Sequence, residues 1–60
     1  MNTYIINEHL DYVALVLMER KQSFIYDGIS ITFKAPKEFI DNLKNQDGLM
    51  ATIHYYEQKY

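Results

Sequence analysis

Two histidines, His9 and His54, are the side chains best suited to general-base or metal chemistry in this 60-residue chain. Both kinds of chemistry require partners that converge on the imidazole ring. The two histidines lie far apart in the sequence, and neither belongs to an H-x-x-x-H or H-E-x-x-H pattern. We therefore interpret them as surface or packing residues and predict no metal site.

The run Asn45-x-Asp47-Gly48 matches the middle of a calcium-binding EF-hand loop. In that register the loop requires a carboxylate at position 43 and a bidentate glutamate at position 54. The sequence has Leu43 and His54 there, so both anchoring ligands are missing. The run instead predicts a turn that ends a helix.

Other catalytic arrangements are equally incomplete. Ser23 and Ser30 lack a nucleophile-elbow motif, and the two isolated glycines form no phosphate-binding loop. Glu8 and Asp11 are spaced as solvated acids in the first turn of a helix. Without cysteine the chain has no thiol nucleophile, thiolate metal site or disulfide. We predict a non-enzyme with no cofactor, no metal and no small-molecule substrate.

The composition is that of a folded domain, with 48% hydrophobic and 23% charged residues. The longest apolar run, Val13 to Met18, is far shorter than the ~20 residues of a membrane span. The first residues lack the basic start and small-residue cleavage site of a signal peptide. We therefore expect one cytoplasmic domain, residues 1–60, without membrane contact. Residues with AT-rich codons make up 28 of the 60 positions, which favours a low-GC bacterium or its phage as the source.

The clearest structural signal is Asp27-Gly28, a pair typical of a two-residue type I′ hairpin turn. It predicts an antiparallel hairpin over about residues 22–34, with Tyr26 paired to Ile29. Partners across a hairpin share a face. One predicted face comprises Phe24, Tyr26, Ile29, Ile31 and Phe33, and the other comprises Ser23, Ile25, Ser30, Thr32 and Lys34.

The segment after the hairpin predicts a helix of about ten residues followed by a strand. Pro36 suits the first helical turn, and Phe39, Ile40 and Leu43 recur at helical spacing. Gly48 is expected to stop the helix in a left-handed conformation. The β-prone, aromatic run from 49 to 57 is expected to form the C-terminal strand.

The first third is ambiguous between a helix from Glu8 to about Lys21, capped by Asn7, and a buried strand over residues 12–18. The helix is favoured because acids come early and bases late, as the helix dipole prefers. A short strand, Tyr4-Ile5-Ile6, is expected to precede it. The predicted fold is α+β: a small two-layer β-α-β-β-α-β or α-β-β-α-β domain, with one or two helices packed on one face of the sheet.

In both the helical and the strand interpretation the first third has more apolar surface than one core contact can cover; in the helical one the surplus lies opposite the core stripe. The core stripe is Leu10, Val13, Ala14, Leu17 and Met18. The opposite side has Tyr12, Leu15 and Val16, and an exposed apolar patch of this kind marks an interaction site. A homodimer is the simplest occupant, docking onto a different protein comes next, and cover by the chain termini is the third alternative.

The tyrosine-rich end is a second candidate surface. If Ile53 and Tyr55 point inward along a strand, then His54, Tyr56 and Tyr60 point outward. Tyrosines suit interfaces because a large ring is combined with a polar tip. We therefore predict partner binding at these outward residues as well.

These patterns favour a small protein-binding module, dimeric, acting as an inhibitor or adapter, with a phage or mobile-element inhibitor of a host enzyme as one form. A nucleic-acid-associated regulator is the alternative, although the net charge of −2 disfavours it. It would use the central basic residues Arg20, Lys21, Lys34, Lys37 and Lys44. A third interpretation is a structural chain of an obligate hetero-assembly.

Overall fold

Strands and helices alternate in the order β-α-β-β-α-β in the computed structural model, which describes residues 1–58. A short 3-10 turn, Met50–Thr52, precedes the last strand. The elements are β1 (Asn2–Ile6), α1 (Leu10–Glu19), β2 (Ile25–Tyr26), β3 (Ile31–Ala35), α2 (Lys37–Gln46) and β4 (Tyr56–Gln58).

The four strands form one antiparallel sheet in the order β2-β3-β1-β4. Because β1 is antiparallel to both β3 and β4, and β2 is antiparallel to β3, each helix connects two parallel strands with a third strand between them. This is the split β-α-β arrangement of ferredoxin-like domains. The predicted α+β fold, with its hairpin, C-terminal strand and helices on one face, is confirmed.

One face of the sheet forms the core with the two helices. Along β3 the side chains alternate, and Ile31, Phe33 and Ala35 are buried while Lys34 is exposed. Such alternation is typical of a strand with one covered face, since successive side chains point to opposite sides. The buried cluster comprises Tyr4, Ile6, Val13, Val16, Leu17, Ile31, Phe33, Ala35, Ile40, Leu43, Met50 and Ile53.

The hairpin keeps the predicted face for Tyr26, Ile31 and Phe33, but its register differs and Ile29 lies in the turn. Tyr26 pairs with Ile31, not with Ile29, so the turn residues are Gly28 and Ile29. Of these only Gly28 has a positive φ, 94°, which fits a type II′ turn, whereas a type I′ turn requires a positive φ at both turn residues. The register differs because Asp27 lies beside the turn and not within it: its Oδ1 accepts hydrogen bonds from the backbone N–H groups of Ile29 and Ser30. These same hydrogen bonds lower the pKa of Asp27.

Helix α1 begins later and ends earlier than predicted. Asn7 does not cap it; the preceding residue is His9, which is left-handed with φ 52° and makes no side-chain cap. At the other end Lys21 has φ 57°, its N–H donates to the Met18 carbonyl, and the next N–H donates to the Leu17 carbonyl. This pair of hydrogen bonds is a Schellman motif, in which the left-handed position is usually glycine.

The predicted strand over residues 49–57 is wrong for most of its length, because β4 begins at Tyr56. Gly48 is not the left-handed stop expected of it, since Gly28 is the glycine with positive φ. Helix α2 ends at Gln46, and the next residue, Asp47, has an extended backbone conformation. The Asp47 carboxylate then accepts the N–H groups of Leu49 and Met50 and starts the 3-10 turn, which a strand pattern does not reveal.

Candidate interaction surface

The face of the sheet opposite the helices carries a row of side chains that no element of residues 1–58 covers. Ile25 is paired with Thr32, Thr32 with Ile5, and Ile5 with Tyr56, so these four residues cross all four strands on one side. Ile25 is 70% exposed and Tyr56 52% exposed, at the two ends of the row. We call these four residues the apolar row.

A second row lies beside the apolar row on the same face. Lys34 is paired with Thr3, and Thr3 with Gln58. Lys34 is the one charged side chain among the paired strand residues of this face, because Glu57 is paired with the core residue Tyr4 and so belongs to the opposite face. Low charge at the centre is typical of protein–protein interfaces.

The face is not flat, because β2 separates from β3 beyond Ile25. Only Ile25 and Tyr26 of β2 are paired, and the gap next to them opens into a recess of about 230 Å³. A hydrogen bond of 2.8 Å from the Gln22 side chain to the Lys34 carbonyl spans the gap. The recess is lined by Thr3, Ser23, Phe24, Ile25, Thr32, Phe33 and Lys34.

The predicted surface on α1 needs correction. Val16 is buried at 6% exposure and belongs to the core, whereas Met18, expected in the core stripe, is 64% exposed. Leu15 is 54% exposed, as expected of that surface. Helix α1 therefore contacts the core through a stripe rotated from the expected one, and its outer apolar residues are Leu15 and Met18.

Tyr12, the third residue of that predicted surface, is half-buried and bonded within the chain. Its hydroxyl donates to Oδ2 of Asp47, which connects α1 to the turn after α2. This hydrogen bond raises the pKa of Tyr12 and lowers that of Asp47. Tyr12 therefore contributes to the packing of the fold, because its hydroxyl already has a hydrogen-bond partner within the chain.

The predicted C-terminal surface is only partly assembled. His54 is exposed, its backbone N–H donates to Glu8 Oε1 at 2.6 Å, and its ring Nδ1 lies 3.2 Å from the same oxygen. The backbone hydrogen bond is the main reason that the pKa of Glu8 is lowered. Tyr56 lies on the open sheet face, and Tyr60 falls outside the described residues.

Tyr55 points inward, and its buried hydroxyl has no hydrogen-bond partner among residues 1–58. Burial, together with the charge of Asp47, raises its pKa to about 12. The ammonium of Lys44 lies 4.9 Å from the centre of the ring, a cation–π contact. The Lys44 ammonium therefore contacts an aromatic ring next to the core.

The central basic residues are distributed over different parts of the molecule. Lys34 lies on the open sheet face, while Lys37 and Lys44 are on α2, which covers the other face. Arg20 and Lys21 follow the end of α1, and Arg20 donates to the Gln46 side chain at 3.3 Å. The two faces of the sheet thus separate Lys34 from the lysines of α2.

The sequence interpretation missed Ile5, Thr32 and Ile25 as surface candidates. The alternation of the hairpin places Ile25 and Thr32 on the face opposite Phe24, which was a usable signal. What the sequence lacks is the strand order. Pairing of β1 between β3 and β4 brings Ile5 and Tyr56 into one row with Ile25.

No group of three or more histidine or acidic side chains among residues 1–58 is arranged to hold a metal ion. No helix in the same part of the chain has the length and apolar character to cross a membrane. In comparisons with protein-family models, curated proteins and solved structures, no significant match to this chain was found.

Proposed function

We propose that this chain is a protein–protein interaction module and that the open sheet face is its interface with another polypeptide chain. The observation that carries the proposal is the apolar row, which crosses the whole sheet and is left without cover by the chain's own helices. A contiguous exposed patch of this type marks interaction sites in monomeric folds.

The free energy available from such cover is substantial for a small domain. Removing ~200–300 Å² of apolar surface from water contributes about 5–7 kcal/mol before the costs of association. A domain of 60 residues has little core from which to draw its stability. Cover of the apolar row by a second chain would therefore stabilise the fold as well as form a complex.

An inhibitor or adapter is the role that we favour within this class, and a phage or mobile element is the source that the codon bias favours. An inhibitor and an adapter both act by binding to the surface of another protein. Such binding requires contact area and no catalytic group. The outer residues of α1, Leu15 and Met18, are also exposed, but they are two side chains on one helix and form no row comparable to that on the open sheet face.

A nucleic-acid role is less well supported by the same face. Four-stranded sheets that bind single-stranded RNA stack its bases on aromatic side chains of the sheet. The open-face residues of the central strands are Thr3, Ile5, Thr32 and Lys34, none of them aromatic. A single lysine also provides little neutralisation of a phosphate backbone.

Photo-crosslinking in cells that make the chain tests the proposal. A photoreactive amino acid in place of Ile25 should give discrete adducts with protein, while the same amino acid in place of Met18 is the matched control. The two positions are similarly exposed, at 70% and 64%, but lie on opposite layers. Adducts to nucleic acid, or no adduct specific to position 25, would contradict the proposal.

A further inference from the structure

We propose that the occupant of the open sheet face is a second copy of this chain, packed sheet against sheet about a two-fold axis parallel to the central strands. The inference rests on the proposed function, because it names the partner for the same face. Symmetric homodimers are the commonest soluble oligomers, and they require a patch that is complementary to itself.

The two ends of the apolar row are complementary to each other. An axis parallel to the strands exchanges β2 with β4 and β3 with β1. Tyr56, at the β4 end, would therefore lie against Ile25 and the adjoining recess of the other copy. The contact occurs twice, once at each end of the interface, because the axis relates the two copies.

The recess has a size and a lining that suit the aromatic ring of Tyr56. Its volume is about 230 Å³, and its lining includes the methyl-bearing side chains of Ile25 and Thr32, which lie on the open face. An apolar cavity of roughly 150 Å³ is sufficient to admit a benzene ring. Ser23, which also lines the recess, provides a polar group for the tyrosine hydroxyl.

The centre of the row fits the same axis. Ile5 of each copy would lie over Thr32 of the other, so that half-buried residues meet at the middle of the interface. The two Lys34 side chains carry like charges on facing sheets, and their long stems allow the ammonium groups to reach solvent. Because salt screens this repulsion, the dimer should tighten as ionic strength rises.

The size of the face sets the expected strength of association. The molecule measures 28 × 24 × 21 Å. A broad side of these dimensions offers roughly 500–700 Å² per chain, at the lower end of the range for specific interfaces. We therefore expect a dimer with an affinity in the micromolar range, and not an obligate one.

Sedimentation equilibrium of the full chain and three variants tests the interface. Ile25→Lys and Tyr56→Ala should each weaken association at least about tenfold, as for interface residues at a contact centre. Met18→Lys, the matched control on α1, should associate like the parent chain. Because all three positions are more than half exposed, the variants should keep the parent circular dichroism spectrum. A chain that stays monomeric, or a dimer weakened only by Met18→Lys, would overturn the inference.

Crosslinking tests the direction of the axis. The chain has no cysteine, so Ile25→Cys and Tyr56→Cys introduce single thiols. Facing positions on packed sheets are ~10 Å apart, whereas two copies of position 25 would be separated by ~17 Å, given three strand spacings of ~4.8 Å. A short bismaleimide should therefore link a mixture of the two variants much faster than either variant alone. Preferential linking of Ile25→Cys to itself would contradict the proposed axis.

The failure of this inference can be distinguished from failure of the proposed function. If the purified chain is monomeric while position 25 crosslinks to a different protein in cells, the second copy is excluded and the interaction module stands. If the chain is monomeric and position 25 crosslinks to nothing, both proposals fail.

Discussion

Lys21 is the residue at which a single substitution should make the protein more stable. It occupies the left-handed position of the Schellman motif at the end of α1, with φ 57°. For a residue with a Cβ atom this conformation costs about 1–2 kcal/mol, whereas glycine adopts it freely. Lys21→Gly therefore relieves backbone strain while both hydrogen bonds of the motif, donated to the Met18 and Leu17 carbonyls, remain.

The net gain is smaller than the strain, because glycine also increases the conformational entropy of the unfolded chain. That increase offsets about 0.5–1 kcal/mol, so we expect a net stabilisation of about 0.5–1 kcal/mol. For a domain of this size such a change raises Tm by roughly 2–8 °C. The measurement is urea unfolding at one fixed protein concentration, since the dimer that we propose would make stability concentration-dependent.

Two control variants separate this effect from the loss of a charge. Lys21→Ala removes the same ammonium group but keeps a Cβ atom, and should not stabilise the protein. Arg20→Gly places glycine at a neighbouring residue with an ordinary φ of −90° and should destabilise it. A Lys21→Gly variant no more stable than Lys21→Ala would refute the assignment of strain to this residue.

Three further predictions concern the turn, the core and the pH response. Gly28→Ala should destabilise the protein by about 1 kcal/mol in thermal unfolding, since Gly28 has φ 94°, and an unchanged Tm would contradict the proposed turn. Tyr55→Phe should leave stability unchanged or raise it by about 1 kcal/mol, because the hydroxyl that it removes is buried without a partner; a marked loss in urea unfolding would show a missed hydrogen bond. The pKa values of Glu8 and Asp47 are lowered in the folded protein. The two ionised carboxylates therefore stabilise the fold at pH values above their ordinary pKa values, 4.5 and 3.8, and this stabilisation is lost as pH falls through the folded-state pKa values. Asp47→Ala should therefore lower Tm at pH 7 and flatten the acid limb of Tm against pH, whereas Asp41→Ala, an exposed acid on α2, should do neither.

Much of the fold could be predicted from the sequence, because the periodicity of apolar residues and the turn residues indicate where helices and strands form. The helical spacing from Phe39 to Leu43 and the alternation of the hairpin are local patterns. Both elements form, with Ile40 and Leu43 of the helix and Ile31 and Phe33 of the hairpin buried. The hairpin register was wrong by two residues because Asp-Gly was interpreted as the whole turn. Asp27 instead accepts hydrogen bonds from the turn, which its residue type also permits.

The candidate surface was harder to predict because it depends on strand order. The sequence indicated excess apolar residues on α1, but the buried stripe is rotated about the helix axis, which places Val16 in the core and Met18 at the surface. Over ten residues the two faces of so apolar a helix differ little in hydrophobicity, so local spacing cannot fix the rotation. The apolar row arises only when β1 inserts between β3 and β4, a long-range pairing that no short pattern encodes.

Accessibility of individual methyl groups to a soluble paramagnetic agent tests most directly whether a second copy covers the open sheet face. At low protein concentration the methyl groups of Ile25 and Met18, 70% and 64% exposed, should both be strongly relaxed. As concentration rises, Ile25 should become protected while Met18 stays accessible. Equal accessibility of the two at every concentration, or protection of Met18 alone, would contradict the account.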